Sequence, residues 1–148
     1  MRVKDILDSL ESDRLKIVET GCAYTKDIAL WVSKHPESHF TSADLNSDLQ
    51  YETHSILEEY GTARYCTFLT QDHYQLLSKQ TWVDAAFLHP IDLQSGLHEF
   101  LLAVSTGARV VVIKDYQSRA GWAIKRAKEI GWRFEYYDGD MNILRRPD

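Results

Sequence analysis

The sequence predicts a doubly wound α/β fold, in which a mostly parallel sheet is covered by helices on both faces and closed by an antiparallel C-terminal hairpin. Short apolar runs alternate with amphipathic helical patterns along the chain, which is typical of successive β-α-β units. The run ARVVVI, over residues 108–113, is rich in β-branched side chains, as expected of a strand buried on both faces. Near the end of the chain, Gly139 and Asp140 separate two strand-like runs, which indicates a hairpin.

The composition indicates one folded domain. The chain has 148 residues, of which 44% are apolar and 26% are charged, and a domain of this size buries a single sizeable core. We predict one domain over residues 1–148, made of an N-terminal helix over 1–14 and a core over 15–148. The N-terminal segment lacks the uncharged apolar region of a signal peptide, and no apolar run is long enough to span a bilayer. A cytoplasmic protein without membrane contact is therefore expected.

The predicted elements follow one another without a linker or an internal repeat. Helices are assigned where apolar residues recur every three or four positions, and strands where apolar or β-branched residues run together. Pro36 ends the second helix, Gly61 the third and Gly107 the fifth. In chain order, the prediction is a helix over 2–10, a strand over 15–21, a helix over 25–35, a strand over 39–46, a helix over 47–61, a strand over 64–72, a weaker helix over 74–79, a strand over 82–90, a helix over 97–107, a strand over 108–116, a helix over 119–131 and hairpin strands over 132–138 and 141–146.

The same periodicities predict which side chains form the core. The inward faces of the third and fifth helices are expected to carry Leu49, Ile56, Leu57 and Tyr60, and Leu97, Phe100, Leu101 and Val104, respectively. Aromatic side chains favour packed strand surfaces, and free cysteine is usually buried. Core or sheet-face packing is therefore expected for Cys66, Trp82, Trp122, Trp132, Tyr136 and Tyr137.

Polar side chains collect at the expected carboxyl ends of the strands. In an open α/β sheet, ligands bind outside these ends, at the point where the strand order reverses. Four of the five strand ends carry a carboxylate, whereas solvent exposure alone does not favour acids so consistently. The residues at these ends are Glu19, Gly21, Cys22, Ala23, Tyr24 and Thr25 after the first strand, Asp44 after the second, Thr70, Gln71 and Asp72 after the third, His89 after the fourth, and Asp115 and Tyr116 after the fifth.

The loop after the first strand has the sequence ETGCAYT, over residues 19–25, and leads from a buried strand into an amphipathic helix. With the order of elements and the closing hairpin, it resembles the first loop of small class I S-adenosylmethionine-dependent methyltransferases, whose sheet is Rossmann-like. The segments FLHPIDLQSGLHEF and VVVIKDYQSRAGWAIKRAKEIGW are similar to those around the fourth and fifth strands of that family. The resemblance covers nearly the whole chain and implies S-adenosylmethionine as the cofactor.

The resemblance also implies roles for the residues at the strand ends. Glu19 would organise the first loop and the amino-acid end of the cofactor, and Gly21 would let the backbone approach the ligand. Asp44 would accept hydrogen bonds from the ribose hydroxyls, and Asp72 would meet the adenine amino group. The full set of cofactor-binding residues implied in this way is Glu19, Gly21, Cys22, Ala23, Thr25, Asp44, Leu45, Gln71, Asp72 and His89.

Methyl transfer needs mainly positioning and an acceptor with a free lone pair. A hydroxyl or amine acceptor also benefits from a base, for which His89 is the first candidate and Asp115 and Tyr116 are the next. Catechol-type relatives hold a divalent metal here, and His89, Asp92 and Asp115 would be the corresponding ligands. Those relatives have a carboxylate where His89 stands, and hard cations prefer oxygen ligands, so no metal is predicted.

Two functions stay open on the sequence alone. The first is a methyltransferase that acts on a small molecule or on a group presented by a partner protein. The second is a non-catalytic scaffold or interaction protein with the same fold, for example in a viral assembly. A dinucleotide oxidoreductase is disfavoured, because the later glycines of a phosphate-binding loop are missing. The formal net charge of −5 argues against a nucleic-acid substrate, and a second subunit in a homo-oligomer would be one means of acceptor selection.

Overall fold

The structure is a computed structural model that describes residues 2–45, 48–59, 61, 66–69, 71–115, 119–137 and 140–148, with residue 137 described for its backbone only. The elements alternate as the sequence predicts, and the short helix after the third strand is present. In chain order they are α1 (Val3–Asp8), β1 (Lys16–Thr20), α2 (Thr25–Ser33), β2 (His39–Ala43), α3 (Asp48–Glu59), β3 (Cys66–Leu69), α4 (His73–Ser78), β4 (Ala85–Leu88), α5 (Leu93–Ser105), β5 (Val110–Lys114), α6 (Gly121–Glu129), β6 (Arg133–Tyr137) and β7 (Met141–Arg145).

The strands form one sheet in the order β3-β2-β1-β4-β5-β7-β6. Strands β1 to β5 run parallel to their neighbours, while β7 pairs antiparallel with both β5 and β6. The predicted fold class, a doubly wound and mostly parallel sheet closed by an antiparallel hairpin, is confirmed. From β1 the chain moves outward to β3, and from β4 it moves outward the other way, so the strand order reverses between β1 and β4. The carboxyl ends of β1 and β4 are therefore where a ligand is expected.

Both faces of the sheet are covered, as the apolar run of β5 predicts. Val110 and Val112 pack in a core with side chains of α1, α2 and α3, whereas Val111 and Ile113 pack in a second core with side chains of α4, α5 and α6. All four side chains are fully buried, because successive residues of a strand point to opposite faces. The alternation places one layer of helices on each side of the sheet.

The buried faces of α3 and α5 differ from the prediction. In α5, Phe100 is buried as expected, but Leu101 is 40% exposed and Glu99 faces inward. In α3, Leu57 is buried as expected, but Leu49 is 44% exposed and Gln50 is buried instead. Apolar periodicity misassigned Leu49 and Leu101, because polar side chains with hydrogen-bond partners occupy inward positions of both helices. The predicted contribution of Tyr60 lies outside the described residues.

The aromatic predictions are right only in part. Trp132 is buried and packs edge-on against Phe100, with ring centroids 5.4 Å apart. Trp82, Trp122 and Tyr136 are each at least half exposed, so their predicted packing was wrong. Tyr136 lies on β6, the edge strand of the sheet, where one side lacks a neighbouring strand. Cys66 is buried, as predicted.

None of the helices within the described ranges combines the length and the apolar character needed to cross a membrane.

Candidate functional site

A cavity of about 340 Å³ opens at the carboxyl ends of β1, β2 and β4, beside the point where the strand order reverses. Its walls come from the loops after these strands, from the start of α4, from the first two turns of α5 and from Arg119, which precedes α6. Five residues predicted from the sequence line it, namely Gly21, Asp44, Leu45, Asp72 and His89. The sequence did not single out the others, which are His73, Tyr74, Pro90, Ile91, Ser95, Glu99 and Arg119.

Glu19 organises the loop after β1 from below. Its carboxylate is fully buried and accepts hydrogen bonds from the backbone N–H of Tyr24 at 2.7 Å, from Ser42 Oγ at 2.8 Å and from Thr25 Oγ1. Burial raises the pKa of Glu19 to about 7, although the three hydrogen bonds oppose this effect. The carboxylate does not line the cavity. Glu19 can therefore affect the amino-acid end of a cofactor only through the loop after β1, which its hydrogen bonds hold in place.

Gly21 brings the loop against the fourth strand. Its φ is +71°, and a Cβ atom at this position would lie 2.8 Å from the Cβ of His89. The Gly21 N–H donates to the carbonyl of Ala43 at 3.1 Å, which ties the loop to the end of β2. Only glycine combines this backbone conformation with so close an approach.

The next part of the loop turns away from the cavity. Cys22, Ala23 and Thr25 line a separate cavity of about 260 Å³ between the start of α2 and α3. The sequence grouped them with Gly21 as cofactor-binding residues. The left-handed turn at Gly21 and the hydrogen bond from Thr25 to Glu19 instead place them in a different cavity from Gly21. Burial raises the pKa of the Cys22 thiol to about 11, with smaller contributions from Glu19 and Asp44, which disfavours a nucleophilic thiolate.

A cluster of ionisable side chains forms the floor of the cavity. His73, at the start of α4, lies between Asp44 at the end of β2 and Glu99 on α5. Its Nε2 is 3.5 Å from Asp44 Oδ2, and its Nδ1 is 3.3 Å from Glu99 Oε1. Glu99 Oε1 also accepts a hydrogen bond from Thr20 Oγ1. The cluster thus joins the ends of β1 and β2 to two helices on one face of the sheet.

Asp72 lines the cavity and also caps a helix. Its Oδ1 accepts hydrogen bonds from the backbone N–H groups of Tyr74 at 2.7 Å and Gln75 at 3.3 Å, which is the usual N-cap arrangement. Gln71, which was predicted beside Asp72 in the adenine site, is not among the residues that line the cavity.

His89 reaches the cavity, whereas the next catalytic candidate does not. Burial lowers the pKa of His89, and the positive charges of Lys114, Arg119 and His73 lower it further, so that its imidazole is neutral near pH 7 and can accept a proton. Asp115 Oδ1 instead accepts a hydrogen bond from the backbone N–H of Ala120 at 3.3 Å, outside the cavity lining. The third candidate, Tyr116, lies outside the described residues.

Asp92 and Asp115, two residues of the metal alternative, accept hydrogen bonds from backbone N–H groups. Asp92 Oδ1 accepts the backbone N–H of Ser95 at 2.7 Å and caps α5, and Asp115 caps the segment before α6. Among the residues that the structure describes, no group of three or more His, Cys, Asp or Glu side chains has an arrangement that could hold a metal ion.

Comparison with known proteins gives no match to a family model and none to a curated protein. Solved structures are similar throughout the chain. A precorrin-6y C5,15-methyltransferase from Geobacter metallireducens has a TM-score of 0.75 at 13% identity, over 97% of this chain and 87% of that chain. An rRNA methylase from Streptococcus thermophilus has a TM-score of 0.74 at 12% identity, over 98% of this chain and 94% of that chain.

A third structure was solved with the cofactor that the sequence resemblance implies. The O-methyltransferase TomG from Streptomyces achromogenes, in complex with S-adenosylmethionine, has a TM-score of 0.65 at 16% identity, over 98% of this chain and 78% of that chain. At these identities the likeness establishes the fold. The chain has the fold of class I S-adenosylmethionine-dependent methyltransferases.

Proposed function

We propose that the protein is an S-adenosylmethionine-dependent methyltransferase that acts on a small molecule or on a group presented by a partner. The observation that carries this proposal is the position of Asp44. It follows β2, lines the cavity at the switch point and lies 25% exposed there, with Gly21 and Asp72 in the same lining. This is where an open α/β sheet presents an acid to the ribose of a nucleoside cofactor.

The chemistry of the lining suits an adenosyl cofactor better than a dinucleotide. The cavity has carboxylates from Asp44, Asp72 and Glu99, which would repel phosphates but accept hydrogen bonds from ribose hydroxyls and the adenine amino group. S-adenosylmethionine carries no phosphate, and its sulfonium and ammonium groups are cationic, so acids near the site are favourable. A glycine-rich phosphate cradle is then unnecessary.

The proposed chemistry uses His89 as a base. When bound, S-adenosylmethionine supplies an electrophilic methyl group to the acceptor lone pair and leaves as S-adenosylhomocysteine. His89 lines the cavity beside Gly21, and its neutral imidazole would take the proton that a hydroxyl or amine acceptor releases. The remaining lining residues hold the reactants in position, which is the main requirement of such a displacement.

The Asp44→Ala variant tests the proposal. We expect it to weaken S-adenosylhomocysteine binding by about a hundredfold, because each hydrogen bond to a charged group contributes about 1.5–3 kcal/mol. Calorimetric titration measures this loss, and circular dichroism checks that the fold is kept. Asp13→Ala removes an exposed acid far from the cavity and should bind like the wild type.

Two results would contradict the proposal in different ways. Equal affinity in Asp44→Ala and the wild type would remove the ribose contact. If folded wild-type protein bound neither S-adenosylmethionine nor S-adenosylhomocysteine, the enzyme proposal would fail and a scaffold with this fold would replace it.

A further inference from the structure

We infer that His73 is a positioning residue that orients the carboxylate of Asp44 for the ribose by linking it to the buried carboxylate of Glu99, and that cofactor affinity therefore follows the protonation of His73. The inference rests on the proposed function, because it concerns how the same cavity holds the adenosyl group.

Glu99 is a fixed anchor. Its side chain is 1% exposed, and it lies on the buried face of α5 with Phe100 and Ala103. Thr20 Oγ1 donates to its Oε1 from the end of β1, and His73 Nδ1 lies 3.3 Å from the same oxygen. A buried carboxylate is costly unless it is paired and hydrogen-bonded. The packing of α5 and these two partners therefore hold Glu99 in one place.

Asp44 is at the open end of the same chain of contacts. Its side chain is 25% exposed, and its Oδ2 is 3.5 Å from His73 Nε2. His73 itself is only 16% exposed and belongs to the first turn of α4. Exposure thus increases from Glu99 through His73 to Asp44, so the cluster runs from the protein interior to the ligand cavity.

The two contacts together require both nitrogens of His73 to donate. A neutral imidazole has one N–H donor, whereas the imidazolium has two, and carboxylate oxygens only accept. Burial by itself lowers the pKa of His73, but the hydrogen bonds and charges of Glu99 and then Asp44 outweigh it and raise the pKa overall. Among the residues that the structure describes, the other charged or titratable groups that face His73 or its two partners are Glu19, Cys22, Asp72, Tyr74, His89 and Arg119.

Deprotonation is expected to weaken the contact of His73 with Asp44 rather than its contact with Glu99. The Glu99 contact is the shorter and the more buried of the two, so the remaining proton stays on Nδ1. The lone pair on Nε2 then faces Asp44 Oδ2, and the carboxylate turns away from the orientation that suits the ribose. Affinity for the adenosyl ligand should therefore be highest below the pKa of His73 and fall as the pH rises through it.

The test is a calorimetric titration of the full chain with S-adenosylhomocysteine between about pH 6 and about pH 9, a range that brackets histidine titration. We expect wild-type affinity to fall about tenfold across this range, which corresponds to a pKa change of about one unit on binding. His73→Gln should bind with a weak affinity that varies less with pH. His54→Gln, a matched change of a half-exposed histidine on α3, should keep the wild-type profile, including any titration of the ligand itself.

A second variant separates positioning from a merely structural role. Glu99→Gln removes the charge that most raises the pKa of His73, so it should move the midpoint of the affinity profile to lower pH. Should that variant fail to fold, the imidazole signals of His73 in the wild type give the same information. Their NMR titration should show a pKa that S-adenosylhomocysteine raises, because the protonated form binds it more tightly.

The outcomes are distinguishable. Wild-type binding whose pH profile is identical in His73→Gln, or a His73 pKa that the ligand leaves unchanged, would overturn the role of His73 and leave the proposed function intact. An absence of binding at every pH would overturn both.

Discussion

The Gly21→Ala variant is expected to lose about 3 kcal/mol of its free energy of unfolding and most of its affinity for adenosyl ligands. Two costs add at this position. An L-residue at φ +71° adopts a left-handed backbone that favours glycine, and the new methyl group would lie 2.8 Å from the Cβ of His89. The Cβ of His89 is fixed by the backbone, so rotation of the imidazole does not relieve the contact. The loop or β4 has to move instead.

Gly61→Ala is the matched control for this experiment. Gly61 has a φ of +69°, and a Cβ atom there would have no neighbour within 4 Å among the described atoms. It should therefore show only the cost of the left-handed backbone, about 1–2 kcal/mol. Urea denaturation of both variants measures the difference, and a titration with S-adenosylhomocysteine measures the loss of binding. Equal losses of stability in the two variants would show that Gly21 does not pack against His89.

Glu19 is expected to make folding stability depend on pH by about 3 kcal/mol between about pH 4.5 and about pH 7. Burial raises the pKa of Glu19 from its ordinary value of 4.5, which applies to the unfolded chain, to about 7 in the folded protein. The folded state therefore keeps a proton that the unfolded chain releases across this window. The contribution of Glu19 protonation to the free energy of unfolding is therefore fully present below pH 4.5 and is lost as the pH rises through about 7.

The Glu19→Gln variant isolates this contribution. A glutamine carbonyl can accept the N–H of Tyr24, and its amide can donate to the hydroxyls of Thr25 and Ser42, so the loop keeps its hydrogen bonds without a titrating group. Urea denaturation at several pH values should show a smaller decline for Glu19→Gln than for the wild type over this window. Glu11→Gln changes an exposed acid and should leave the wild-type slope unchanged. A Glu19→Gln slope equal to that of the wild type would contradict a titrating Glu19.

The sequence predicted the fold and five of the residues that line the cavity, because both depend on local patterns. The alternation of strand and helix periods is a property of neighbouring residues, and it fixes the carboxyl ends of the strands. Asp44 and His89 were found by that reasoning, since each directly follows a strand. The switch point then brings them to one cavity, as the general rule for open α/β sheets requires.

The remaining part of the site depends on contacts between residues far apart in the chain. His73 and Glu99 are joined across the cavity floor, and no periodicity indicates that a glutamate should face inward from α5. The division of the first loop between two cavities follows from the left-handed turn at Gly21 and from the hydrogen bonds that Glu19 makes with Thr25. The ETGCAYT sequence contains Glu19, Gly21 and Thr25, but it does not indicate which cavity each residue faces.

We propose that the cavity at the switch point binds the adenosyl group, and a crystal structure of the chain with S-adenosylhomocysteine tests this most directly. We expect the ribose hydroxyls to lie within hydrogen-bond distance of Asp44 and the homocysteine sulfur to lie beside Gly21 and His89. An adenosyl ligand bound elsewhere, for example in the cavity of about 320 Å³ between α1 and α2, would contradict it. So would an empty cavity at saturating ligand.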